Sequence, residues 1–405
     1  MTSPRKSVPS ARPSLEALED RSLPSASGSF MWFGYSFDSM KDTSTVEQQL
    51  AHDRSEFRTS IVSELAANTP QIVSTVPGNG DVNPYGVAFV PKDFAHGGSL
   101  HPGDILVSNF NNSDNIQGTG TTIVRINSAG QQSVFFPGGS GLGLTTALGV
   151  LRRGFVLVGN VPTTTTNDVT TVNGSGSLLI LDKNGKVVTT LTDSKLLDGP
   201  WDLTVHDEGG HAQVFISNVL NGTVTRLDLK LSADGEHVQV VDKVQVASGY
   251  AFGTDPNALV VGPTGLVYDA EHDILYVAST KDNEIFAVSG AGRTSGQSGT
   301  GKVIYKDDAH LRGPLALALL PNGDLITANG DAVNADTSTT NPQNSELVEF
   351  TRTGKFVGEF QISTEAGGAF GLAVSTHGDD VRFAAVNDIT NTLDVWNFDL
   401  DHHHR

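Results

Sequence analysis

From residue 70 onward, apolar residues come in short runs separated by stretches rich in Gly, Asn, Asp and Pro. The runs are too short and too rich in β-branched residues for helices, whose buried faces recur every three to four positions. They read as β-strands bounded by turns. Aligned on one another, they resolve into six copies of one unit. A first run, at 84–89, 146–150, 200–205, 264–269, 314–319 and 370–374, is small and apolar. A second, at 105–109, 155–160, 214–218, 274–279, 324–329 and 382–387, ends in a small residue and in five copies reaches Asn: Asn109, Asn160, Asn218, Asn329 and Asn387. A third, at 122–126, 178–181, 224–227, 284–288, 347–350 and 393–396, carries alternating side chains. One face of it is predicted to meet the next unit and the other to be wetter. A fourth run precedes the next copy.

Four strands per unit and six units predict an all-β fold, a six-bladed β-propeller of four-stranded antiparallel blades, over residues 70–400. The sixth copy has no fourth strand after Trp396, while a spare apolar stretch at 71–76 precedes the first copy. Pairing the two closes the ring and leaves neither edge exposed. The recurring Asn reads as a scaffold residue capping the turn into the third strand, because an active site needs asymmetry and this residue repeats.

The segment ahead of the propeller has a different pattern. Ser44 and Glu47 fit a capping box, and Val46, Leu50, Phe57, Ile61 and Leu65 share a helical face. Asn68 and Pro70 end the pattern, so 44–69 predicts a helix docked on the main domain. Residues 1–43 are rich in Ser and Pro. Glu16, Glu19 and Asp20 interrupt what a secretory signal keeps continuously apolar, so the stretch reads as a disordered leader or targeting segment.

Composition narrows the function. Lys plus Arg is 26 against 45 for Asp plus Glu, a formal net charge of -19 with no basic patch, which opposes binding to phosphate backbones. The chain has no cysteine, which removes thiolate metal sites and Cys nucleophiles. The longest apolar run, 315–320, is far short of a membrane span. Nucleophile elbows, zinc-protease helices, P-loops and dinucleotide fingerprints are all missing from the sequence.

At its repeats the chain resembles the NHL-type six-bladed propellers, within the wider group that includes gluconolactonase-like and strictosidine-synthase-like proteins. The best local matches are 263–269 with 274–279 and Asp282 to Ile285, then 321–325. The stretch Leu15-Glu16-Ala17-Leu18-Glu19-Asp20-Arg21 resembles a leader carried by many planctomycete surface and exported proteins. That resemblance implies an extracellular or cell-surface location.

Calcium-dependent lactonases of the group place Glu, Asn and Asp at the tops of inner strands around an axial metal. The comparable positions here are Asn83, Asp202, Asp255 and Asn257, and the resemblance implies calcium as the only candidate cofactor. The chain departs from the pattern at Leu315 and Phe370, offers Thr145 and Thr146 in the second copy, and has no Glu at any of these positions. Asn83 and Asp202 therefore also read as partners for strand-end backbone groups. Two oxygen-rich loops, 109–115 and 329–336, lack the EF-hand spacing and read as solvated turns.

Tyr85, Trp201 and Phe370 begin inner strands and are expected to line an aromatic channel mouth. His310 and Arg312 precede the fifth inner strand, which makes them the acid–base candidates. The reading is a binding module for a small molecule or protein, expected to act as a monomer. The alternative is a divalent-cation-dependent lactonase, hydrolase or lyase working at the channel mouth.

Overall fold

The computed structural model describes residues 59–167, 169–255 and 258–400. The expected leader, residues 44–58 of the expected helix, and Asn257 lie outside the described residues.

Six four-stranded antiparallel sheets make up the fold, with two short hairpins beside them. The inner strands are Val82–Phe89, Leu144–Leu151, Pro200–Asp207, Pro263–Asp269, Pro314–Leu319 and Ala369–His377. Each lies beside the inner strand of the next sheet, and the sixth lies beside the first. This is the six-bladed propeller that the six repeats predict. The outermost strand of the sixth blade is Gln71–Ser74, paired antiparallel with Thr392–Asp399 so that Val73 faces Leu393. Thr75 extends the seam: its N–H and its hydroxyl both donate to the Asn391 carbonyl, at 3.0 and 2.9 Å.

Burial follows from stacking the blades face to face. The second strands Ile105–Asn111, Phe155–Asn160 and Leu325–Asn329 are buried along their whole length. The third strands differ from the alternation expected of them. Thr223–Leu231 is buried over its first five residues, and only Asp228 and Lys230 reach out. Blades cover both faces of their neighbours that far from the axis, so the wet strand is the fourth, as in Val187–Leu191.

The described part of the upstream segment is a short helix, Ile61–Ala67. Ser60 is its N-cap, in extended conformation, with its hydroxyl accepting from the Ser63 N–H at 3.4 Å. The helix therefore starts at Ser60 and does not run continuously through it from Ser44. Ile61, Val62 and Leu65 pack with Phe383 and Trp396. A fully buried carboxylate, Glu349, takes the Ser60 hydroxyl at 2.8 Å, the Val62 N–H at 2.9 Å and the Asn322 amide at 2.7 Å. Glu349→Ala strands these donors in a dry site, so a loss of about 2–3 kcal/mol is expected in chemical denaturation. Loss within a few tenths of wild type would show that the helix is not held this way.

All six inner strands share a break in register near their start, at Pro84/Val87, Leu144/Leu148, Pro200/Leu203, Pro263/Leu266, Pro314/Leu317 and Ala369/Leu372. A bulge turns the strand and re-aims side chains without ending the ladder. In three blades the second bulged residue is glycine because the next blade is too near. A Cβ on Gly86 would sit 2.6 Å from the Thr146 carbonyl oxygen, and one on Gly371 would sit 1.9 Å from that of Tyr85. The third blade has Asp202 at this position, its N–H donating to the Ser217 hydroxyl at 3.0 Å.

Candidate ligand site at the channel mouth

The bulges divide the axis into two spaces. Below them is a narrow cavity of about 60 Å³ reached by all six inner strands, with Gly86, Thr146, Asp202, Leu266, Ala316 and Gly371 on its wall. Above them, at the strand starts, is a cavity of about 480 Å³.

The upper cavity has an aromatic side. Tyr85 stacks on Phe110 at 4.9 Å between ring centroids and leans on Phe370 at 4.7 Å. All three line the space. Trp201 does not. It lies behind them, 1% exposed and edge-on to both Tyr85 and Phe110, as part of the apolar cluster that supports the wall. Its position is thus one layer back from the mouth expected for it. Burial, then the negative charge of Asp388, pushes the Tyr85 phenol well above its ordinary range.

The same lining also carries acidic and amide groups. Asn83 takes the left-handed conformation, φ 59°, that Asn tolerates better than most residues. Its N–H donates to the Asn391 side-chain oxygen at 2.7 Å, and its own amide donates to Asp388 at 3.2 Å. Burial raises Asp388 to about 7. Asp331 accepts the Ser345 and Gly367 N–H groups, each at 2.9 Å, yet burial still raises its carboxyl above the usual range. Asn111 donates to the Asn115 side chain at 2.6 Å. The inner ends of both oxygen-rich loops line the cavity, with Asn111 2% and Asp331 8% exposed, while 113–115 and 334–335 are exposed as expected of solvated turns.

The other sequence candidates lie elsewhere. Asp202 is in the lower cavity; its carboxylate accepts the Leu203 N–H at 2.8 Å, and burial raises it well above the carboxylate range. Asp255 accepts the Ala258 N–H at 3.2 Å across the hairpin Gly253–Asp255/Leu259–Val261. Of the three described members of the expected calcium set, only Asn83 lines the upper cavity. The three described residues do not line one common cavity. His310 does not line the mouth: its ring stacks on Phe356 at 3.8 Å and its Nδ1 meets Glu359 at 2.9 Å, in the outer part of the fifth blade. Arg312 is buried behind Asp331, its guanidinium donating to the Ala309 and His310 carbonyls and lying 4.0 Å from Glu346.

The recurring Asn has the scaffold role expected of it. Asn218 accepts the Asp198 N–H at 3.1 Å and donates to Thr223 and Thr225 on the third strand. Asn160 and Asn329 likewise accept the Gly143 and Arg312 N–H groups, fixing the loop that enters the inner strand. The chemistry sits one position further on. Residues following the second-strand end are Phe110, Val161, Val219, Thr280, Gly330 and Asp388. Four of them line the mouth, and the two valines belong to the cluster beneath it. Only the sixth copy puts an acid there, and that asymmetry was available in the aligned repeats.

A second cavity, about 490 Å³, opens between the third and fourth blades at the turns joining their first two strands. His206, His211 and His272 line it. They are half-exposed or exposed, and two meet acidic neighbours, Glu208 at 3.6 Å and Asp269 at 2.9 Å. An exposed trio, Asp234, Glu236 and His237, brings ligand-type atoms within 4.8 Å of one another on a loop.

The class that the fold defines is the six-bladed β-propeller. No family model and no curated protein sequence matches the chain. Among solved structures it is similar to a luciferin-regenerating enzyme, at TM-score 0.45 and 9% identity over 81% of this chain and 94% of that one. It is similar to a putative gluconolactonase at TM-score 0.47 and 11% identity, over 82% and 95% of the two chains. A third is a calcium-binding protein, regucalcin, from Agrobacterium tumefaciens, at TM-score 0.43 and 11% identity, over 77% and 84%.

Proposed function

We propose that this propeller binds a small molecule in the cavity at its channel mouth. The observation that carries the reading is that one space of about 480 Å³ is lined both by three rings and by Asn83, Asp331 and Asp388. Ligand sites combine apolar walls with a few fixed polar groups at this size. On the leader resemblance, the protein works outside the cell.

The test is a panel of neutral, anionic and cationic aromatic fragments, followed by ligand-observed NMR and thermal melting. Phe370→Leu and Tyr85→Ala are expected to weaken the binders about tenfold while leaving the far-ultraviolet circular dichroism intact. Fragments that bind equally well to both variants would place the site elsewhere and end this reading.

A second reading, hydrolysis of a lactone or related ester in the same cavity, is favoured by Asp388. A carboxyl poised at about 7 is suited to take up or release a proton near neutral pH. It is tested by following acid release from simple lactones with wild type and Asp388→Asn. Turnover that the variant keeps would exclude Asp388 from the chemistry.

A further inference from the structure

We propose that the mouth cavity selects organic cations, an ammonium group carried on a flat apolar body. The inference rests on the small-molecule reading above and names its ligand class.

Charge is the first observation. Among the described residues lining the cavity there is no Lys, Arg or His, while Asp331 and Asp388 both belong to the wall. Arg312 and Lys281, which neighbour lining residues, are themselves outside the lining, although the Arg312 charge acts on Asp331. Arg312 is buried behind Asp331, among the Ala309 and His310 carbonyls and within 4.0 Å of Glu346. Lys281 donates its Nζ to the Phe252 carbonyl at 3.0 Å.

The second observation is independent of formal charge. The Oδ1 atoms of Asn83, Asn111 and Asp331 are buried and have no hydrogen-bond donor. Asn111 and Asp331 are more than nine-tenths buried, and all three residues line the cavity. An acceptor left without a donor in a dry site is costly, and it leaves its negative partial charge uncompensated. Three such oxygens under one wall, with two carboxyls, make the potential in the space negative and call for a partner that brings N–H donors.

The rings point the same way. Tyr85 is stacked on Phe110 and both are nearly buried, so Phe370, the most exposed of the three rings lining the space, is the one offered to a cation that has shed its water. A bare metal ion is the weaker fit, since it would fill a small part of about 480 Å³ and find two carboxylates there. Alkyl and aryl ammonium ions fill the volume, meet the rings with their carbon body and donate to the oxygens. The formal charge of -19 on the chain adds long-range attraction for such ligands.

The experiment compares three molecules of one shape, phenethylamine, phenylpropanol and phenylpropanoate, by calorimetry on the full chain in mildly alkaline buffer, with calcium chloride alone as a fourth arm. The amine is expected to bind about tenfold more tightly than the alcohol, and the carboxylate least. Asp388→Asn is expected to erase the preference for the amine while leaving alcohol binding in place; its melting curve checks that it folds. Equal binding of alcohol and amine to wild type would overturn the cation preference while leaving a small-molecule site. A response to calcium alone that Asp388→Asn loses would replace the organic ligand by a metal. Absence of binding in all four arms would overturn both this inference and the ligand class on which it rests.

Discussion

Deleting residues 71–76 is expected to lower the stability of the entire propeller by about 5 kcal/mol, from four lost ladder pairings and one unburied Val side chain. The strand Gln71–Ser74 is the outermost strand of the blade that ends the array, so the deletion removes the seam. It also bares the edge of Thr392–Asp399, a template for pairing between molecules. Scanning calorimetry should show the single transition moved down by roughly 10 °C, since each kcal/mol shifts a domain of this size by a few degrees at most. Light scattering should rise with it. A transition unmoved by the deletion would mean that the ring is held by contacts between inner strands alone.

Asp388→Asn is expected to stabilise the protein in alkaline solution and to have little effect in acid. An ordinary aspartate titrates near pH 4, whereas burial raises this one to about 7. Between those values the unfolded chain has released the proton and the folded chain has kept it. Raising the pH through this window therefore favours unfolding, and the contribution levels off once the folded carboxyl has ionised too. The variant removes that penalty, worth about 2–4 kcal/mol above pH 7 and fading toward pH 4. Denaturant melts of both proteins across this range give the comparison. A constant difference between them at every pH would show that Asp388 titrates normally and that burial does not govern it.

The two predictions differ in how early they were accessible. The closing strand was legible because the sixth copy is one strand short and an unassigned apolar stretch precedes the first. The bulges were not: a shift of register between Pro84 and Val87 leaves no mark on the hydrophobic pattern, since both sides remain apolar. Tyr85 and Phe370 line the mouth, while Trp201 lies one layer behind it. His310 failed for a related reason. Its place before an inner strand suggested the axis, but the Phe356 ring and the Glu359 carboxylate hold it in the outer blade. Asp331 and Asn111 were set aside as solvated because Asn and Asp dominate ordinary turns. Their burial comes from loops of different blades meeting over the channel, which no local pattern encodes. Asp388 is legible in the aligned repeats as the one acid among the residues that follow 109, 160, 218, 279, 329 and 387.

That neighbourhood separates two kinds of selection. The recurring amide, present in five of the six copies, holds the backbone of its blade, and in four copies the residue after this position lines the mouth. A change at Phe110 or Asp388 alters the lining of the mouth and leaves the hydrogen bonds of Asn109, Asn329 and Asn387 in place, whereas Thr280 donates to the Pro314 carbonyl and a Cβ on Gly330 would sit 2.2 Å from the Leu315 side chain. Single substitutions at Phe110 or Asp388 are the shorter route to new preferences, because they leave the amides of the frame untouched. Descendants of one such scaffold can then diverge in what they recognise long before they diverge in how they fold.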